Sequence, residues 1–449
     1  MIRLLAASVL VAFLHAWPDA QDIDEDALFS DTSSITDSSS IVKDTAVSPD
    51  AESTTVDLSG DITSVVEATG TRSLFKEISR SEVDPGAYIV SNLLLDVRLP
   101  FDIKAFGNLE TQYLPDSMKP FFALRELFLD ANIKRMVYIR TGKQVLQWGR
   151  CYFWNPTDLV NVERKQFIDK IGYREGAYGI RVHVPVGTIL NFYSFIDMKD
   201  LSSVDSIAGT AKIEYLLGNT EMAVSAWGKR YRDPFVGFDL STNIMDFNIA
   251  GEVSVSKGTN YRMPSRAMMD VIGTQGMGTL SAEQMFTTLG DSIITRACLG
   301  ISRIFDLLNI EDRVTADLEF YYNQAGDNGN VFNNAKVIIV RDQMLKGPAG
   351  AQSSQGLLYS IYEPNSYSKF YVAFFTSVNQ FIFYPLTLQI NTIVNPNLGC
   401  AVLTTALNYQ TQHNFSAGLS VNSFIGPENT EYTFMENAFL VRLTAGVGF

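Results

Sequence analysis

The chain has 449 residues, with 35 Lys and Arg against 49 Asp and Glu and a formal net charge of −14; aromatic residues make up 12% of it and charged ones only 19%. A mean hydropathy of +0.05 is too low for a bundle of membrane helices, while the length fits two or three soluble domains or one large barrel. The odd cysteine count, Cys151, Cys298 and Cys400, speaks against a disulfide framework.

Met1, Ile2 and Arg3 precede an apolar run from Leu4 to Leu14, with small residues at Ala16 and Ala20 where a signal peptidase could cut. Residues 1–20 therefore read as an export signal. The run is shorter than the roughly 20 residues of a spanning helix, and no apolar stretch of 18 residues follows it. No cysteine lies near the cleavage region, which disfavours a lipid-anchored amino terminus. From Gln21 the composition turns to Ser, Thr and Asp, as in Ile35-Thr36-Asp37-Ser38-Ser39-Ser40, and residues 21–53 are predicted to be a disordered acidic segment. Between Gln21 and Thr71 stand twelve acids and one base, Lys43, a net charge of −11 out of −14. The low isoelectric point thus describes this stretch more than the body that follows, and it is no sign of cation binding.

From residue 54 to 449 the hydrophobic period is two. Leu127, Leu129, Val137 and Ile139 share one parity, opposite to Glu126, Arg140 and Gln144. Phe247, Ile249, Val253 and Val255 alternate with Asp246, Asn248, Glu252 and Ser254, and Val314, Ala316, Leu318, Phe320 and Tyr322 with Arg313, Thr315, Asp317, Glu319 and Tyr321. The same split separates Phe415, Ala417, Leu419 and Val421 from Asn414, Ser416, Gly418, Ser420 and Asn422, and it runs to the end through Phe439, Val441, Leu443, Ala445, Val447 and Phe449. Soluble antiparallel sheets alternate too, so the lengths of the connections decide. About 18 strands (range about 16–20) fit at the roughly 9 to 11 residues that a tilted transmembrane strand needs. Long connections at 149–174, 257–292, 324–366 and 424–436 then fall on one side, and short turns at 132–134, 186–188, 217–219, 306–312 and 410–413 on the other. That asymmetry predicts an all-β fold, a transmembrane antiparallel barrel with long extracellular loops and both termini periplasmic. Lys336–Arg341 and Leu357–Tyr362 could add one more hairpin.

The final strand, ending at Phe449, resembles the terminal strands of bacterial outer-membrane barrels, whose last aromatic residue the assembly machinery recognises. A second resemblance covers about 40 residues: Leu124-Arg125-Glu126-Leu127, then Arg140-Thr141-Gly142-Lys143-Gln144, Trp148-Gly149, and Asn155, Pro156 and Asp158. It is similar to the large porin-like and alginate-export-like barrels, where an acidic strand is followed by a Gly-Arg/Lys-Gln strand and a Trp-Gly turn into an external loop. The resemblance implies architecture and carries no substrate.

A turn near Ile133 would pair positions whose numbers sum to about 266, setting Glu126 opposite Arg140 inside the wall. Such a pair either stiffens the wall or forms one bank of a charged constriction. Gln144, Arg181, His183, Arg296 and Arg442 also have interior parity, as do Glu110, Asp130, Asp317 and Glu319, and this mixture gives no clear ion preference. Tyr138, Tyr321 and Tyr371 share that parity but are too scattered in sequence to make a stacking track for sugars. The connection from Gly149 to Tyr173, with Trp154, Asn155, Asp158, Arg164 and Lys165, is expected either to cap the barrel outside or to fold inward and narrow it.

Catalytic chemistry finds no footing: beyond the signal there are two histidines, His183 on a strand and His413 in a predicted turn, and neither has a nucleophile signature beside it. The cysteines are too far apart in sequence for a metal motif, Asp327-Asn328-Gly329-Asn330 is only a fragment of a calcium loop, and no cofactor or nucleic-acid motif appears. The reading is a channel for passive diffusion of small hydrophilic solutes, supported by small polar interior residues such as Thr387, Gln389 and Asn391. Its partners would be outer-membrane lipid and the β-barrel assembly machinery, with monomer and homotrimer both open. The alternatives are a surface-exposed adhesin or antigen acting through its loops, or a transporter of lipids or fatty acids.

Overall fold

The computed structural model describes residues 54–71, 83–114, 119–159, 176–198, 207–232, 234–258, 263–264, 286–287, 292–333, 365, 367–411, 414–434 and 437–449. The signal peptide, the acidic segment, Arg164, Lys165, His413 and the extra hairpin lie outside them.

Alternating sequence becomes alternating structure. Eighteen antiparallel strands form one sheet: β1 (Thr55–Thr71), β2 (Val83–Leu99), β3 (Ile103–Leu114), β4 (Lys119–Ile133), β5 (Val137–Gln144), β6 (Ala177–Val186), β7 (Leu190–Asp197), β8 (Ala208–Leu217), β9 (Thr220–Lys229), β10 (Phe235–Ile244), β11 (Phe247–Lys257), then β14 (Ile293–Leu307), β15 (Ile310–Asn323), β16 (Phe370–Val378), β17 (Leu386–Asn395), β18 (Cys400–Gln410), β19 (Phe415–Ile425) and β20 (Asn437–Gly448). Two further strands, β12 (Met263–Pro264) and β13 (Phe286–Thr287), pair only with each other in the connection between β11 and β14. Each barrel strand pairs with its neighbours in sequence, and β1 pairs with β20, so the sheet closes and leaves no edge. Among the described residues no helix is long and apolar enough to cross a membrane, and a strand barrel needs none.

The connections differ between the two rims. On one rim β4–β5, β8–β9, β10–β11 and β14–β15 are joined through turns of two or three residues. Several of these put consecutive residues at positive φ, as in Lys134–Arg135, Met245–Asp246 and Leu308–Asn309, which matches the twist of a tight hairpin. The long connections after β5, β11, β15 and β19 leave from the other rim, and β1 begins and β20 ends on the short-turn rim.

Parity decides which way each side chain faces. Val56, Leu58, Ile62 and Val66 of β1, Leu127 and Leu129 of β4, and Leu443 and Val447 of β20 point outward and are exposed. An apolar outer belt of that extent is stable only against hydrocarbon. The opposite parity is polar and faces the lumen. The seam is closed by the last residue, since Phe449 N donates to Gly60 O at 2.9 Å and Gly60 N to Phe449 O at 3.0 Å. The Phe449 ring lies over Gly60, where an added Cβ would sit 2.9 Å from ring carbon Cζ and 2.4 Å from the Asn92 carbonyl oxygen.

Candidate functional site

The β4–β5 hairpin introduces the site, and its register differs from the expected one. The turn occupies residues 134–136, so Asp130 pairs with Arg140 and Leu127 with Lys143. The later turn moves every pairing by two residues on each strand, preserving parity but changing partners. Glu126, expected opposite Arg140, is therefore not its ladder partner. Arg140 holds Asp130 with Nε at 2.6 Å and Nη2 at 2.7 Å, and its guanidinium lies 4.1 Å from the ring centre of Phe128. Glu126 instead accepts from the backbone N–H of Val145 at 2.8 Å, the first residue after β5. A bulge between β3 and β4 turns Arg125 toward Glu110, 3.0 Å away.

Gly142 has φ +128, and a Cβ there would lie 2.2 Å from the Leu127 carbonyl oxygen, so only glycine fits. Just beyond it the chain leaves the sheet and folds inward. Gln144, expected to line the channel, is fully covered, its amide 3.4 Å from the carbonyl oxygens of Arg140 and Gly179. Leu146 and Trp148 pack on Tyr193 and Phe195 of β7, and Lys212 of β8 donates to the Trp148 carbonyl at 2.8 Å. Arg150 then reaches three wall carboxylates, Glu214 of β8, Glu221 of β9 and Asp239 of β10, the last at 2.6 Å.

Two more wall carboxylates hold the loop backbone. Glu252 of β11 accepts from the N–H groups of Arg150 at 2.5 Å, Cys151 at 2.7 Å and Thr157 at 3.0 Å, and from the Thr157 hydroxyl at 2.7 Å. Glu319 of β15 accepts from the N–H groups of Tyr152, Phe153 at 3.0 Å and Trp154 at 3.1 Å. Both glutamates are fully buried. Charge-assisted bonds from backbone donors offset the cost of burying a carboxylate, and they give an irregular segment the partners it would otherwise lack.

The side chains of the loop complete an apolar cluster inside the barrel. Trp154 stacks on Tyr321, with centroids 5.2 Å apart and planes 3° from parallel, and lies 5.9 Å from Tyr371; Tyr152 meets Phe375 edge-on at 4.9 Å. Tyr321 and Tyr371, distant in sequence, are direct partners in the β15–β16 register. These two of the three scattered tyrosines thus make one aromatic surface, occupied by the loop, while Tyr138 stacks on His183 at 5.7 Å. Asn155 and Asp158 form the turn that ends the described loop, where Asp158 N donates to Asn155 O at 3.1 Å.

A second inward contact lies nearer the long-loop rim. Glu431, after β19, is fully buried and accepts from Asn365 N at 2.6 Å, Asn395 Nδ2 at 2.6 Å and the Tyr371 hydroxyl at 3.0 Å. Tyr432 donates to Asn365 Oδ1 at 2.6 Å, joining segments that belong to different connections.

The two inner walls therefore differ. Residues 145–159 cover the lumen side of β7 to β11 and of β14 to β16, whereas β1 to β4 and β20 keep partly exposed polar side chains. On that open wall charges stand in facing pairs: Arg125 with Glu110, Arg140 with Asp130, and Arg442 with Glu67 at 2.9 Å. Arg181 lies beside Arg140 across the β5–β6 ladder, and it and Arg296 are largely covered. His183 is buried and stacked on Tyr193 at 4.4 Å, with its ring nitrogen 3.0 Å from Asn191. The cysteines, far apart in sequence, are not far apart in space: donor atoms of Cys151, Cys298 and Glu319 lie within 4.8 Å of one another.

No family model matches the chain, and no curated protein matches it. Among solved structures it is similar to OccAB1 of Acinetobacter baumannii, at 10% identity over 88% of this chain and 96% of that one, with a TM-score of 0.50. It is also similar to OccK5 (OpdH) of Pseudomonas aeruginosa, at 9% identity over 88% and 98% with a TM-score of 0.49, and to a Rhodopseudomonas blastica porin variant, at 9% over 88% and 100% with a TM-score of 0.40. At 10% identity the likeness to OccAB1 speaks for the closed barrel and for nothing finer.

Proposed function

We propose that the protein is a porin-like channel of the bacterial outer membrane through which small hydrophilic solutes diffuse passively. The observation that carries this reading is the asymmetry of the lumen: a loop clamped to one wall by Glu252 and Glu319 faces a wall of partly exposed polar residues and mutually compensated ion pairs. A loop held this way narrows a water-filled barrel without relying on its own flexibility. Facing charges of both signs favour neutral or weakly charged solutes over either kind of ion. The outward apolar belt supplies the lipid contact, and Phe449, at the seam, is the natural handle for the assembly machinery. A homotrimer is compatible with this arrangement and not required by it.

The test is single-channel recording of the refolded barrel in a planar bilayer, with neutral and charged sugars as blockers. Steady open steps with weak ion selectivity are expected. A heat-modifiable, inserted barrel that conducts nothing after residues 145–159 are shortened would end the channel reading.

A further inference from the structure

We infer that Cys151 and Cys298 form a disulfide that ties the inward loop to the barrel wall. The inference rests on the export reading, because only a chain that leaves the cytoplasm meets an oxidising compartment.

The geometry comes from both sides of the contact. Cys298 is on β14 with lumen parity, between its ladder partners Glu252 and Tyr321. Cys151 is carried to it by the loop, whose backbone is fixed on either side of the thiol: Cys151 N donates to Glu252 and Tyr152 N to Glu319. One turn of strand further on, Gly300 has no side chain, and a Cβ there would already touch Cys151 Sγ at 3.7 Å. Both residues are buried. The two sulfurs, free thiols in the structure, lie within 4.8 Å of each other, and the bridge must bring them to about 2.05 Å.

The third cysteine does not compete. Cys400, on β18, is covered from the β19–β20 connection by Gly426, whose added Cβ would lie 2.5 Å from Cys400 Cβ. A soft metal ion is the other occupant that two thiols and a carboxylate suggest. Glu319, however, is committed to the N–H groups of Tyr152, Phe153 and Trp154, which leaves two sulfur ligands where structural sites use four.

Burial of both cysteines sets the timing: the bond forms while the thiols are still accessible, before the loop is seated. A thiolate attacks the disulfide of a protein thiol oxidase and gives a mixed disulfide and one released thiol. The second cysteine then displaces the oxidase, so that two protons and two electrons leave the pair and the oxidant becomes a dithiol.

The experiment uses the full chain, expressed with its amino-terminal segment in a Gram-negative host, extracted from the outer-membrane fraction without reductant and alkylated in denaturant. Of the three cysteines one, Cys400, should be alkylated, and a proteolytic digest should contain a reducible peptide pair joining Cys151 to Cys298. Cys151→Ser should expose Cys298, giving two alkylated thiols and no such pair. Three alkylated thiols in an inserted, heat-modifiable barrel, with or without a retained metal ion, overturn the proposal. If the chain does not reach the outer membrane, the export reading fails separately. The barrel refolded in a glutathione redox buffer then decides the bridge by the same count, one thiol supporting it and three overturning it.

Discussion

Glu252→Gln tests the clamp most directly. The two oxygens of Glu252 divide four donors between them, Arg150 N and Cys151 N on one and Thr157 N and Oγ1 on the other. Glutamine keeps one oxygen and turns an NH2 group toward the remaining donors, so two charge-assisted bonds are lost. At about 1.5–3 kcal/mol each, the loss is about 3–6 kcal/mol, which raises the population of the released loop by about a hundredfold to ten-thousandfold. Amide hydrogen exchange followed by mass spectrometry on the detergent-solubilised barrel reads that population through the N–H groups of Arg150, Cys151, Tyr152 and Trp154. Thr157→Val removes the hydroxyl bond alone and should give a smaller change in the same amides. The barrel ladders are untouched by either substitution, so heat-modifiability should persist. Loop protection in Glu252→Gln within about threefold of the parent would refute the clamp, since a carboxylate whose loss frees nothing was holding nothing.

Two further outcomes follow from the walls. Arg140→Ala leaves the partly exposed Asp130 without its partner and should shift the reversal potential in a salt gradient toward cations, while Asp130→Asn should shift it toward anions; equal selectivity in both variants would remove this pair from the conduction path. Gly60→Val drives a branched side chain against the Asn92 carbonyl and the Phe449 ring at the seam, and about 1–3 kcal/mol of overpacking should lower the temperature at which the barrel unfolds on a heat-modifiability gel. An unchanged transition would show that the seam relaxes freely around that position.

The architecture was legible because lipid and water impose period two on every strand, and that period survives errors of register. Leu127, Leu129, Glu126 and Arg140 face the sides their parity assigns even though the hairpin turns two residues later than expected. Partners were not legible for the same reason. Moving the turn from Ile133 to residues 134–136 leaves every side chain on its face and gives Arg140 to Asp130 instead of Glu126. The bulge that brings Arg125 to Glu110 leaves no mark in an alternating pattern.

The inward loop has a signal in the register, carried by carboxylates with no cation as ladder partner. Glu252 stands between Asp239 and Cys298 on the adjoining strands, and Glu319 between Gly300 and Ala373. Neither has a cation beside it in the ladder, unlike Asp130 with Arg140 or Glu67 with Arg442. A carboxylate facing open water in a lumen needs no partner, but one that is fully buried needs donors, and here the loop backbone supplies them. Backbone N–H groups of a segment that has left the sheet are in the opposite position, since they have lost ladder partners and need acceptors. The two deficits cancel only when the loop enters the barrel, which is why the loop folds inward from β5 and comes to rest at Glu252 and Glu319. Parity with register therefore locates such clamps in a barrel of this kind, where parity alone returns only a list of interior charges.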